Sequence, residues 1–599
     1  MRLGVDFGTT NSTVSYYDGD TLHPIKVDPK NDNPYILPSL IYIDRRGKTT
    51  VGAAAAEVYL RRETGRPVRW RRREAGEIGI TVASLENDPI EFTQQVNVLV
   101  DVAARGRLLQ SIKTGLFNNR YSGTRVFEKF YLLENLISIV LESLKSAAER
   151  ELGQSVERIM MGRPVRFSEN DLSDSRAEAV LLKAAYIAGF KDVTLALEPV
   201  GVTHLYHRNT DSRHTVLVFD FGGGTLDLTI ARVGGEETPE ILATQGVLVG
   251  GDDLDRAIMG WLLPHFGGGS DGLLPPQMTD KLRTWQTMPD LSQPYFLERI
   301  RRLRRDVSEP ETLLALETLV TRNVGFKLFK EIERTKKTLS EQESAVLEFE
   351  YEHIKLNQTL TRRRFERIIS PFVERVEEGI ASVLERANTR PNDIDVVLRT
   401  GGSSLVPAFT NLLVSIFGEE KQRLVDPLVS VGGGFAVGAY HYKAPEIASP
   451  ENLITDRKSE NGTPFEVQLT ELGMPAYTDR DFVIARLPYG LHHLPMIMLP
   501  NTEKDSEAEA FLCFSLSQPA RVYIAYESTG ERLPDWLKSF SPENMQIDIV
   551  EEYALINRTM TVYGRDFAAG EVVLGGNMAK GYAGDVILNY LAIIQPKSS

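Results

Sequence analysis

Cysteine is almost missing. Of 599 residues only Cys513 carries a thiol, which excludes an intramolecular disulfide framework and any zinc site built on several cysteines. Its neighbours, FLCFSL, suggest a packed strand residue. Long hydrophobic runs are missing as well: no window approaches the roughly 18 apolar residues of a membrane-spanning helix. The N-terminus enters a strand pattern without the basic and apolar regions of a signal peptide, so we expect a cytoplasmic protein with no membrane partner. Positive charge is in deficit, with a formal net charge of −14, which argues against general affinity for nucleic acid. No GxxxxGK[ST] loop occurs, nor any Ser/His/Asp or Cys/His constellation for nucleophilic catalysis.

What is present is a motif used twice. VDFGTTNSTV, from Val5 to Val14, returns as VFDFGGGTLDLTI, from Val218 to Ile230. Each copy reads as an apolar strand, an Asp at its end, a turn on glycine and a second strand of alternating residues. Gly222, Gly223 and Gly224 clear side chains so that backbone N–H groups can converge on an anion, and Thr225 adds a hydroxyl. Gly8, Thr9, Thr10 and Asn11 offer the same with more side-chain donors. Each turn also carries a carboxylate, Asp6 or Asp220, which would repel phosphate unless a cation lay between them. Magnesium suits that arrangement, since it keeps several waters and takes few carboxylates beside nucleotide phosphates. One such hairpin alone reads as a glycine-rich turn. Two imply a duplicated domain with a nucleotide in the cleft between its halves.

VDFGTTNSTV, FDFGGGTLDLTI, VGGDDLDRAI, EIERTKKTLS and VLRTGGSSLVPAF, in that order, resemble the nucleotide-binding domain of the seventy-kilodalton heat-shock chaperones, the DnaK class. GRPVRF (Gly162 to Phe167) and AGFKDV before LEPVG are most similar to divergent, YegD-type relatives. The resemblance implies an α/β, actin-like ATPase of two ribonuclease-H-like lobes over residues 1–445: lobe I to about 212, lobe II from 213 to about 400, and a return to lobe I over 401–445. It implies ATP or ADP with Mg2+ as ligands. Asp6 and Asp220 would hold the water-bound metal with Glu198 close by, and Gly8, Thr9, Thr10, Gly222, Gly223, Gly224 and Thr225 would cradle the phosphates. Lys113, in LLQSIKTGLF, would orient the attacking water and neutralise charge on the terminal phosphate. Gly250 and Gly251 belong to the matched set. Glu333, Lys336, Lys337 and Ser340 match the family's adenosine-binding helix, and Gly401, Gly402 and Ser403 its close-approach turn. The sequence departs from the family at the base: Lys337 and Leu405 stand where two arginines clamp adenine, and neither reproduces a planar guanidinium stack.

After AVGAYHY the residues 446–475 are rich in Pro, Ser, Asn and charge and read as a flexible linker, where the family has a short apolar acidic one. Short strands follow, so a small all-β sandwich domain is expected over 476–599; Val522, Ile524 and Tyr526 alternate as in a half-buried strand. Its pattern resembles β modules of secreted carbohydrate-active proteins, and Trp536 is either a stacking platform for a ligand such as a carbohydrate or a core anchor. Arginine clusters at 61–74, 299–306 and 361–367 read as solvated faces or a partner surface, with nucleic acid behind. The functional expectation is a slow, Mg-dependent ATPase whose nucleotide state is coupled to a protein client or partner, with cochaperones implied by the resemblance. An inert or nucleotide-gated adaptor and a sugar kinase are the alternatives.

Overall fold

The computed structural model describes residues 1–82, 90–168, 170–208, 210–235, 239–269, 272–307, 310–425, 427–441, 450–459, 465–527, 533–551, 557–579 and 588–597. Two sheets of one design carry the first three-quarters of the chain. In lobe I, β1 (Arg2–Phe7), β2 (Asn11–Tyr17) and β3 (Leu22–Pro24) form an antiparallel meander. The strands β4 (Arg158–Arg163) and β5 (Asp192–Leu197) then add in parallel beside β1. Lobe II repeats the plan with β6 (His214–Phe221), β7 (Leu226–Val233) and β8 (Glu240–Val247) as the meander, and β9 (Val396–Thr400) and β10 (Gln422–Leu424) parallel beyond β6. The strand orders are thus β3-β2-β1-β4-β5 and β8-β7-β6-β9-β10, the duplicated actin-like architecture. Leu3, Val5 and Phe7 of β1, and every residue of Val216–Phe219 in β6, are buried, which is why these strands read as apolar runs.

Six helices matter for the site: α1 (Leu133–Leu152), α2 (Asp171–Ile187), α3 (Glu198–Arg208), α4 (Gly251–Leu262), α5 (Gly325–Glu341) and α6 (Pro427–His441). The apolar stripe of α1 is core packing, with Leu136, Ile137, Val140, Leu141 and Leu144 at most 1% exposed. The expected return to lobe I at 401 is corrected. The strand β10 still pairs with β9 of lobe II, and only α6 crosses back. There it lies against β1 so closely that a Cβ at Gly4 would meet the Ala436 nitrogen at 2.2 Å.

Residues 450–597 form two packed sheets. The larger has seven antiparallel strands, in the order Val467–Leu469, Pro495–Ile497, Leu591–Pro596, Ala520–Glu527, Asn557–Phe567, Ser541–Glu551, Phe482–Arg486; the smaller pairs Ile454–Ser459, Leu512–Leu516 and Gly570–Leu574. Phe514, Leu516 and Val572 of the small sheet pack against Val522, Ile524 and Ala592 of the large one, giving the sandwich. Three expectations change here. The linker expected at 446–475 is in part a component of the sandwich: Pro450–Leu453 forms a helical turn and Ile454–Ser459 a sheet strand, because Leu453 and Ile454 are fully buried in its core. Residues 446–449 and 460–464 of that stretch lie outside the described residues. The strand through Val522 is not half-buried, since Tyr523 and Ala525 on its other face enter a second core with Ile484, Ile547 and Leu491. Cys513 sits on the outer face of its strand, half-buried and away from the core.

The sandwich rests on lobe I. Tyr186 of α2 stacks on His492 with ring centroids 5.8 Å apart and planes 8° apart, and Asn544 donates to Asp171 at 3.0 Å. His492 is a packing residue of this contact, with its Nε2 at 3.2 Å from the Leu487 carbonyl. Trp536 is a core anchor: its indole N–H donates to the Gly576 carbonyl at 2.8 Å and its ring meets Tyr590 and Phe540 edge-on, so the ring is no platform for carbohydrate.

Candidate functional site

The β1–β2 and β6–β7 hairpins face each other. A Cβ on Gly223 would reach the Thr10 hydroxyl at 1.8 Å, and one on Gly224 the Thr9 side chain at 3.1 Å, so only glycine lets the two turns approach this closely. Between them lies a cavity of about 150 Å3. It gathers Asp6, Gly8, Thr9, Thr10, Asn11, Lys113, Glu198, Asp220, Gly222, Gly223, Gly224, Thr225, Gly401 and Gly402 from the sequence expectation.

Lys113 arrives on a short helical turn, Ile112–Phe117, set off by Ser111 in the left-handed region at φ 55°. Its ammonium is buried and lies 2.5 Å from Glu198, the first residue of α3. Lys113 is thus an interior residue of the cleft, and Glu198 opens a helix and points inward at once. Asp227, which sequence reasoning passed over, is also in the cavity. It stands directly opposite Asp220 in the β6–β7 ladder and accepts from Thr225 at 3.2 Å. The signal was legible, since FDFGGGTLDLTI has a second carboxylate two residues after Thr225.

Four carboxylates, Asp6, Glu198, Asp220 and Asp227, thus converge on one ammonium. Burial, with the Glu198 charge second, pushes Asp6 up to about 7 against the pull of Lys113. The same two causes push Asp227 up to about 7, and Asp220 rises well above the ordinary range through burial and its three carboxylate neighbours. Burial alone would lower the Lys113 pKa, but Glu198 and Asp6 outweigh it and raise it. Fully ionised, the cluster would carry three uncompensated negative charges, an arrangement that a low-dielectric site tolerates only with protons or a cation. The hydroxyls of Thr10 and Thr13 are buried without a hydrogen-bond partner among the described residues. A hydrated divalent cation carrying anionic oxygens fits this donor and acceptor set. Magnesium keeps several of its waters and takes few carboxylates directly, so contact through its water shell suits this cluster.

The remaining expected residues brace this cavity from behind. The Gly251 and Asp252 N–H groups at the start of α4 donate to the Gly222 and Gly223 carbonyls at 3.1 and 2.8 Å. Gly250 packs on the same turn, where a Cβ would meet the Gly223 carbonyl at 2.3 Å. Gly250 and Gly251, from the matched set, therefore buttress the glycine turn from behind. Ser403 donates to the Gly222 carbonyl at 2.9 Å. Gly401 has φ 80°, and a Cβ there would lie 2.3 Å from the Phe221 carbonyl, so the turn after β9 depends on glycine.

On α5, Lys336 points at α4, 2.8 Å from Asp255 and 3.0 Å from the Gly251 carbonyl. Lys337 is solvent-exposed and paired with Glu333 at 2.8 Å, and the Ser340 hydroxyl donates to the Lys336 carbonyl at 3.4 Å. Leu405 is 44% exposed. Of this set, Glu333, Lys336, Lys337, Ser340 and Ser403 lie outside the lining of the phosphate-sized cavity. The lobes also meet directly, through Ser111 to Asp252 at 3.1 Å and an edge-on cluster of Tyr59, Trp285 and Phe326.

The arginine clusters divide. Arg301 and Arg304 both bind Glu317, at 2.7 Å each, and Arg302 faces Glu298; Arg362 pairs with Glu343. No helix among the described residues is long and apolar enough to cross a membrane.

Comparison with known proteins matches this arrangement. The sequence model of the family described as Hsp70 protein matches residues 2–284 and 316–456, which include both hairpins, Lys113, Glu198, α5 and the turn after β9. The chain is 25% identical over 460 residues to a "Chaperone protein DnaK" of Thermosipho melanesiensis, covering 76% of this chain and 61% of that one. It is 26% identical over 441 residues to that of Cyanidioschyzon merolae, covering 73% and 61%, and 25% identical over 440 residues to that of Thermus thermophilus, covering 73% and 60%. The aligned stretch thus spans about three-fifths of these relatives' length. By the extent of the family match, the chain belongs to the Hsp70 family.

Proposed function

We propose that the chain is an ATP-binding, chaperone-like protein that hydrolyses ATP slowly with Mg2+, and that its nucleotide state is read by a protein client or partner. The observation that carries this reading is the buried pair of Lys113 and Glu198 set among Asp6, Asp220 and Asp227 between two donor-lined turns. When bound, Mg2+ would supply charge neutralisation at the phosphates, with Asp6, Asp220 and Glu198 holding its waters. The chain's own residues do the rest. The Gly222–Gly224 and Gly8–Thr10 turns present backbone donors, and the Thr10 and Thr13 hydroxyls provide further ones. The Lys113 ammonium adds positive charge where charge builds during phosphoryl transfer, and Glu198 fixes its position. Catalysis of this kind rests on placement and electrostatics, without a covalent nucleophile. Single-turnover hydrolysis of Mg·ATP by the chain beside Lys113→Ala and Asp220→Ala tests it. Slow turnover lost in both variants supports the proposal; turnover retained in both, or no ATP binding at millimolar concentration, overturns it.

One set of observations favours a second reading, a nucleotide-gated adaptor. Lys337 and Leu405, at the positions of the family's adenine clamp, are solvent-exposed, and the C-terminal sandwich is seated on α2 of lobe I. In this reading ATP binds without turnover and the sandwich selects the partner. Tight binding with no product in the same experiment would select it.

A further inference from the structure

A second cavity, of about 1090 Å3, shares no lining residue with the first. Lobe I supplies the strand Gly106–Gln110 and residues 66–72 and 99–104 to its lining, and lobe II supplies Trp285, Gln286, Pro289 and Asp290. Those lobe II residues fall in the interval 285–315 that the family match leaves out. The cavity is therefore built partly from residues outside the family match.

Its chemistry is mixed in a specific way. Six arginines line it against three acidic residues, Asp101, Glu128 and Asp290, and of the six Arg66 is already neutralised by Glu63 and Asp101. Arg107 is open to the cavity yet hemmed in by protein, so burial lowers its pKa below the ordinary arginine value. It donates from Nη1 to the Thr124 hydroxyl at 2.9 Å and the Arg125 carbonyl at 2.8 Å. Among the described residues no carboxylate comes within ion-pair distance of it. A guanidinium in that position matches the two oxygens of a phosphate or carboxylate.

Beside it the lining is apolar and aromatic. Trp70 and Trp285 have their indole N–H groups occupied, by Ser292 at 2.8 Å and Gln110 at 2.9 Å. Leu99, Val102 and Tyr121 are 37%, 39% and 37% exposed although all three line this one cavity. Exposed apolar surface gathered in a concavity marks a binding region more often than chance exposure does.

We infer that this cavity binds a small aromatic anion, an anionic group on a planar apolar body, with Arg107 taking the anion and the tryptophan-lined walls taking the ring. Both tryptophan hydrogen bonds run between the lobes, so the two walls are tied at a fixed spacing, which suits a compact ligand. Extended nucleic acid is disfavoured by the net charge of −14. The inference does not depend on the ATPase reading.

The test uses 1-naphthyl phosphate and 1-naphthoate as probes, with quenching of tryptophan fluorescence in the full chain as the readout, titrated without nucleotide and again with saturating Mg·ADP. Saturable binding is expected for at least one probe, and the tighter of the two identifies the anion. Neutral 1-naphthalenemethanol should bind at least roughly tenfold more weakly, as should the better probe to Arg107→Leu. Should Arg107→Leu fail to fold, Arg72→Ser and Tyr121→Ser replace it, with each expected to lose at least about threefold. The inference is overturned if neither probe binds at millimolar concentration, if the variants bind as the parent does, or if Mg·ADP abolishes binding and so places the probe in the nucleotide cleft.

Discussion

Replacing Lys113 by methionine removes a charge from the centre of the site while nearly keeping its volume. In the native arrangement the ammonium is 4% exposed and 2.5 Å from Glu198, with Asp6 and Asp227 also acting on it. Breaking a buried ion pair by deleting one partner costs about 3–5 kcal/mol. Here the loss should fall near the lower end, about 3 kcal/mol, because Asp6 and Asp227, both at about 7, can take protons at neutral pH and relieve part of the repulsion. Urea unfolding at pH 7.5 measures that loss. The rate of ATP cleavage should fall further in proportion, by roughly 10²–10³-fold, as for removal of a positioned electrostatic donor. Glu198→Gln added to Lys113→Met should restore part of the stability, with a coupling energy of about 2 kcal/mol, and none of the hydrolysis. The reasoning fails if Lys113→Met unfolds within about 0.5 kcal/mol of the parent or turns over within about threefold of it.

Further consequences concern pH and backbone. Asp6 and Asp227 hold protons up to about 7 in the fold against an ordinary 3.8, so their contribution to the metal-free chain's stability is fully present below about pH 4 and is lost as pH rises to 7. Mg·ADP should consequently raise the thermal midpoint more at pH 8 than at pH 5.5, and equal gains would contradict the charge account. Burial, with help from His493 and against the Leu487 hydrogen bond, holds His492 at about 4, below its ordinary 6.5. Its contribution is present above pH 6.5 and disappears as pH falls to 4, worth about 3 kcal/mol across that window. His492→Phe should flatten the acid limb of the unfolding curve, and an unchanged limb would remove His492 as its cause. Gly401→Ala forces a side chain into a glycine-only conformation 2.3 Å from the Phe221 carbonyl. We expect about 1–3 kcal/mol of lost stability and weaker nucleotide binding by calorimetry; parent-like values in both would show that the turn can move freely.

The sequence displayed the two hairpins because each needs its whole signal locally: a strand, an Asp, glycines and a strand. Asp6, Asp220 and both glycine turns were therefore legible. Asp227 was visible as a residue but not as a partner, since its role depends on standing opposite Asp220 in a ladder whose register only the fold fixes. The same holds for the buttressing of Gly222 and Gly223 by α4, which joins residues far apart in the chain. Composition misled over 446–475, where Pro, Ser and charge surround Leu453 and Ile454, two residues fully buried in the sandwich. The alternation of Val522, Ile524 and Tyr526 marked one buried face and was silent about the other, which a separate segment covers. The 1090 Å3 cavity could not be read at all, because its walls come from both lobes.

The central claim is that the two turns and their carboxylates form one metal-dependent nucleotide site. Calorimetric titration of ATP into the chain, with Mg2+ and again with EDTA, tests it most directly. The account predicts one site per chain with Mg2+ and binding at least roughly tenfold weaker without it. Equal affinity in the two titrations, or no binding with Mg2+ at millimolar ATP, would contradict it.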